Sequence, residues 1–154
     1  LSDFTTQEQN ELKGLLESTD RGAHYYGDFY HSGYESSLID MKDQYFITNT
    51  VRALKRINHT LYVYDASGFI IIDLDNRRMQ GFFNNRLGGE GPKGIPDSLR
   101  GHYGGDFTMI YALSKLDPKD LEILWTMRKQ YLEKSPQLME DKDLFPLNLE
   151  DMAL

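Results

Sequence analysis

The stretch "TLYVYDASGFIIIDL", residues 60–74, decides the reading of the fold. Two runs rich in Tyr, Val, Ile and Phe flank Ala66-Ser67-Gly68, a short turn segment. That is the signature of an antiparallel hairpin, with Gly68 suited to the left-handed position of a three-residue loop. The apolar run Phe69–Ile72 is strand-sized and far below the roughly 20 residues of a membrane span.

The same texture continues on both sides. "SSLIDM" and "QYFITNTV" flank Lys42-Asp43, read as a tight turn, and "DNRR" turns into "MQGFF". "RALKRI", 52–57, is too short for periodicity to choose between helix and strand. The result is an antiparallel β-meander from about residue 36 to 84, with "DFTMIYAL" supplying one more strand. The Gly- and Pro-rich segment 84–101 reads as a long loop.

Helices are expected at both ends. In "TTQEQNELKGLLES" Thr5 and Glu8 form a capping box, and Leu12, Leu15 and Leu16 share one face. Near the other end, Asp117 is placed to cap a helix with Pro118 at its first position. Leu121, Leu124, Trp125, Arg128 and Leu132 trace its buried face, with the Arg128 head left in water. The expectation is a single α+β domain over 1–135, in which an antiparallel meander sheet carries an N-terminal and a C-terminal helix. An acidic and apolar tail, 136–154, follows as an extended strap or a partly disordered end. One core is expected to hold Leu12, Leu15, Leu16, Leu61, Val63, Ile70, Ile72, Leu121, Leu124 and Trp125.

Composition narrows the function classes. The 154 residues contain no cysteine, which removes disulfide scaffolds and thiol chemistry. The net charge is −7, with both ends acidic and the middle mildly basic. No clustered positive field is available for nucleic acid or an anionic membrane, and a basic protein partner suits the charge better. Neither membrane insertion nor a cofactor is expected. The chain starts at Leu1 rather than Met, so the compartment stays open between cytoplasm and, after loss of an export signal, a bacterial surface or secreted location.

The densest aromatic stretch is "HYYGDFYHSGY", 24–34, read as a loop or irregular edge strand. Tyr25, Tyr26, Asp28, Tyr30, His31, Tyr34 and Glu35 are the candidate partner-binding residues, because tyrosines give large rigid contact area and the interleaved acids suit a basic partner. "HYGGDF", 102–107, repeats His-Tyr-x-Gly-Asp-Phe without matching flanks, which points to shared turn chemistry rather than a duplicated unit. Should the two segments meet in space, His24, His102 and Asp106 would form a His/Asp site able to do hydrolytic acid–base work. No motif supports a metal there, and none is expected. Asp73-Leu74-Asp75 after an apolar strand resembles the nucleophile motif of haloacid-dehalogenase-type phosphatases. It departs from that motif at Asn76 and Arg77 and lies in a hairpin, so it reads as two acids on a strand end. The sequence thus favours a small acidic protein-binding module, an immunity protein or inhibitor that neutralises a basic toxin or enzyme. A hydrolase and a small-ligand-binding domain are the alternatives.

Overall fold

A computed structural model describes residues 24–33, 36–83 and 95–134. The expected N-terminal helix, the tail 136–154, the glycine segment 84–94, and Tyr34 and Glu35 lie outside the described residues. What is described is a mixed α+β fold of two sheets and two α-helices.

The first sheet has four short antiparallel strands: β1 (His24–Tyr26), β2 (Phe29–His31), β3 (Leu38–Asp40) and β4 (Tyr45–Thr48). The second has five longer ones: β5 (Val51–Ile57), β6 (Thr60–Asp65), β7 (Gly68–Asp73), β8 (Arg78–Phe83) and β9 (Phe107–Ile110). The single meander is therefore corrected to two sheets. The chain passes from one to the other at Thr48–Val51, a step without the Gly or Pro that would have marked it. Strands β5 to β8 do run as an antiparallel meander, but β9 joins β8 in parallel. Between them lies α1 (Ile95–Tyr103), where a loop was expected, and then a 3₁₀ turn, Gly104–Asp106. The second helix, α2 (Pro118–Lys134), begins as its sequence implies: Lys119 N–H donates to the Asp117 side chain at 2.9 Å.

The second sheet is the middle layer. On one face Leu54, Leu61, Val63, Ile70, Ile72 and Met79 pack against Phe29, Leu38 and Ile47 of the first sheet and Leu99 of α1. On the other, Tyr62, Tyr64, Phe69, Ile71 and Phe82 pack against Leu121, Leu124 and Met127 of α2, with Trp125 partly buried beside them. This explains why "FIII" is apolar without alternation: strands covered on both faces bury every residue. The one expected core is thus two, separated by the sheet. Arg128 differs from expectation as well. It is 1% exposed, and its guanidinium lies over the Trp125 ring, 5.1 Å from the centroid.

Gly68 sits in the hairpin for a different reason than expected. Asp65 pairs with Gly68, so the loop is only Ala66-Ser67, and Gly68 has no positive φ. A Cβ at Gly68 would lie 1.9 Å from the Phe82 carbonyl oxygen of β8, so only glycine lets the strands approach. The turn is held by Asp65, fully buried, which accepts from the Ser67 N–H at 3.0 Å and the Ser67 hydroxyl at 2.6 Å. The Thr48 and Thr50 hydroxyls donate to the same carboxylate at 2.9 and 3.0 Å, fastening the link between the sheets. Four donors on one buried carboxylate offset its desolvation.

Candidate functional site

The Tyr-rich stretch is a β-hairpin. Tyr26 pairs with Phe29 across a two-residue loop, and Gly27 has φ +60, which suits the first position of the turns that close such hairpins. Alternation along the strands then sorts the side chains. Phe29 and His31 of β2 are buried, and Tyr26 packs on the inner cluster. Tyr25 and Tyr30 face the other way.

The register extends that outer row across the whole sheet. Tyr25 pairs with Tyr30, Tyr30 with Ile39, and Ile39 with Phe46, so one residue of each strand enters a single line. Tyr25 is 67% exposed and Phe46 59%, with Tyr30 and Ile39 half-buried between them. The Tyr25 and Tyr30 rings are 4.8 Å apart. The β3–β4 turn adds Met41, also exposed. Isolated exposed apolar residues are ordinary on protein surfaces; a row in register across four strands is an organised apolar surface.

On the inner side the same sheet carries a charge cluster. Asp40 ends β3 with 0% exposure. Its carboxylate accepts from Arg77 and from the Tyr103 hydroxyl (2.8 Å), and its other oxygen from the Lys42 N–H at 3.2 Å. Arg77 reaches it from the β7–β8 turn, at φ +58, and also bonds Asp28 at 3.0 Å and Asp43 at 3.3 Å. The His102 ring bonds Asp43 at 3.1 Å and stacks on Tyr45 at 4.0 Å. One arginine therefore ties the β1–β2 turn, β3 and the β3–β4 turn to the middle sheet, while Tyr103 and His102 bring in α1.

The electrostatics follow from these contacts. Burial pushes the Asp40 carboxyl up, but the Arg77 and Tyr103 bonds, the Asp43 N–H and the Arg77 charge outweigh it and hold it below the usual carboxylate range. Burial, reinforced by the bond to Asp40, raises the Tyr103 phenol. His31 is lowered, first by burial and then by His24 across the hairpin. Among the described residues, Asp40, Asp43 and His102 each offer one ligand atom, all within 4.8 Å of one another, and are the group that could hold a metal ion. Arg77 already lies against both carboxylates, so the protein supplies the cation they require.

The structure thus distributes the residues singled out by sequence. Tyr25 and Tyr30 lie on the outer face, Asp28 at its edge bound to Arg77, and Tyr26 and His31 turn inward. The three residues of the hydrolase alternative sit on separate elements with separate partners. His24 is in register with His31, His102 bonds Asp43, and Asp106 is 3.9 Å from Arg78. The two His-Tyr-x-Gly-Asp-Phe copies take different backbones. The first is a hairpin with its left-handed glycine at Gly27; the second ends α1 and has it one motif position earlier, at Gly104. They share the final step, where Asp-Phe enters a strand and buries the ring, Phe29 at 0% and Phe107 at 5%. Ile39, Phe46, Asp40 and Arg77 were not found from sequence. The alternation Leu38-Ile39-Asp40 contained the signal for Ile39, whereas nothing local marks Arg77.

No family model, no curated protein and no solved structure matches this chain.

Proposed function

We propose that this protein is a small acidic protein-binding module, of the immunity-protein or inhibitor kind, that neutralises a basic toxin or enzyme by covering it with the outer face of the first sheet. The observation that carries this reading is the row Tyr25–Tyr30–Ile39–Phe46. Aromatic side chains on a rigid sheet give contact area at low entropic cost, and an interface core of this composition is where binding energy concentrates. The net charge of −7 selects a basic partner and speeds its approach. Beneath the row, the Arg77 cluster holds the turns of the sheet in place, so the surface is organised before the partner arrives.

The test starts with affinity capture from the native host, identification of the captured protein and reconstitution with that protein purified. Calorimetry with the reconstituted pair then compares wild type with Tyr25→Ala and Phe46→Ala. Both residues are exposed, so both variants should fold. Each should weaken binding by at least ~2 kcal/mol, about thirtyfold, if it is an anchor. Unchanged affinity in both variants would sink the assignment of this face. A captured partner without a basic surface would sink the electrostatic half of the reading.

A further inference from the structure

On the opposite side of the middle sheet, the residues facing α2 grade from apolar to polar. The register defines three rows. Tyr64, Phe69, Phe82 and Ile110 form the first, and α2 packs over its Phe69 and Tyr64 end. Tyr62, Ile71, Gln80 and Thr108 form the second, and Thr60, Asp73 and Arg78 the third. The helix starts at Pro118 and leaves the polar end of this face open. There, a cleft of about 580 Å³ is floored by Ile71, Gln80 and Thr108 of the second row and by the third row, and walled by Asp120 of α2 and by Gly105 and Asp106 of the 3₁₀ turn. A void of this size is within the range of small-ligand sites, and its lining is polar where a packed core would be apolar.

Charge is unevenly placed in the cleft. At the β8–β9 end the exposed Arg78 guanidinium lies 3.9 Å from Asp106, and its charge also acts on Asp73, its register partner on β7, which leaves three carboxylates against one guanidinium in the cleft. At the β6–β7 end stand Asp73 and Asp120. Asp73 is fixed in orientation: it accepts from the Asn76 side-chain amide at 2.9 Å, from the Asn76 N–H at 3.2 Å and from the Asp75 N–H at 3.0 Å, and these bonds, with the charge of Arg78, hold its carboxyl below the usual range. Asp120 is half-buried and accepts from the Tyr62 hydroxyl at 2.7 Å. Burial raises its carboxyl, against the pull of the Tyr62 bond, and Asp117 adds to the rise. A positive ligand group at this end would relieve that burial cost.

We infer that this cleft is a binding site for a small organic cation, an alkylammonium or guanidinium group held between Asp120 and Asp73, with Thr60, Gln80 and Thr108 accepting its remaining hydrogen bonds. The site is separate from the aromatic row and does not depend on it.

The experiment is a titration followed by amide resonances, using cadaverine and agmatine as cationic probes and 1,5-pentanediol as the uncharged match in length. Cadaverine or agmatine should shift the amides of Thr60, Gln80, Thr108 and Asp120 saturably, while pentanediol leaves them in place. Asp120→Asn keeps an acceptor for Tyr62, so it should fold, and it should weaken the cation about tenfold. Asp106→Asn, at an exposed site, serves as a second variant and should have a smaller effect. A free amine and a polypeptide side chain present the same group; a capped Gly-Lys-Gly peptide titrated beside cadaverine separates them, the tighter ligand naming the source. Absence of saturable shifts, equal shifts from pentanediol, or unchanged affinity in Asp120→Asn would each overturn the assignment.

Discussion

Arg77→Ala should destabilise the fold by about 3–5 kcal/mol, the usual cost of leaving a buried charge without its partner. The replaced guanidinium contacts three carboxylates, and the one that decides the magnitude is Asp40, at 0% exposure. Asp28 and Asp43 are partly in water and contribute little by comparison. The cost should depend on pH in a defined direction. In the wild type the Asp40 carboxyl is held low, so its contribution is fully present above the unfolded value of about 3.9 and is lost as pH falls through the folded one. Without Arg77, its bond and its charge no longer oppose burial and only the Tyr103 and backbone bonds do, so the folded value rises and the stability that this group contributes towards neutral pH shrinks. Urea unfolding of both proteins from acid to neutral pH should show a small gap in acid that widens towards neutrality. A gap independent of pH, or one below about 1 kcal/mol at neutral pH, would mean that Asp40 is not stabilised by this pair.

Leu124→Ala should cost about 2–5 kcal/mol. Leu124 is 0% exposed, in the α2 stripe that covers Tyr64, Phe69 and Ile71. Truncation removes transfer energy and leaves a cavity between two rigid layers, the helix and a sheet that is held from behind by the other sheet. The lower midpoint should come with an unchanged denaturant slope, since the surface exposed on unfolding is nearly the same. Glu122→Ala, on the exposed side of the same helix, is the control and should stay within about half a kcal/mol. A loss that small for Leu124→Ala would show that the buried face of α2 is misassigned.

The parts legible in the sequence were those whose signals are local. The capped start of α2 and the β6–β7 hairpin are set by residues within a few positions of one another. The helix Ile95–Tyr103 also carried a local signal: Pro96 and Asp97 in its first turn, and Ile95, Leu99 and Tyr103 at a spacing of four. The glycines before it and Gly101 within it masked that spacing. For the candidate surface, the tyrosines drew attention but not their sides. Treating Gly27-Asp28 as a two-residue turn would have put Tyr25 and Tyr30 on one face and Tyr26 on the other. The partners Ile39 and Phe46 follow only from strand pairing, and the Arg77 cluster joins positions 34 to 63 residues apart, beyond any local pattern.

The parallel strand at the edge of the middle sheet bears on how the chain reaches its native state. Within each sheet, β1 to β4 and β5 to β8 pair with their sequence neighbours over connections of a few residues, so their contacts close small loops. Pairing β9 with β8 requires the whole connection from Phe83 to Phe107 to fold back, a slower closure with a larger entropic cost. We predict that β9 docks after the rate-limiting step, with α1 and the Arg77 cluster completed only then. Conservative truncation at Phe107 should accelerate unfolding and leave refolding nearly unchanged, whereas truncation at Ile70 in the middle of the sheet should slow refolding. Equal slowing of refolding by both would place β9 in the nucleus. With β9 last, the cleft beside it and the clamp beneath the aromatic row are finished at the final stage of folding, so a partially folded chain would present neither in its mature form.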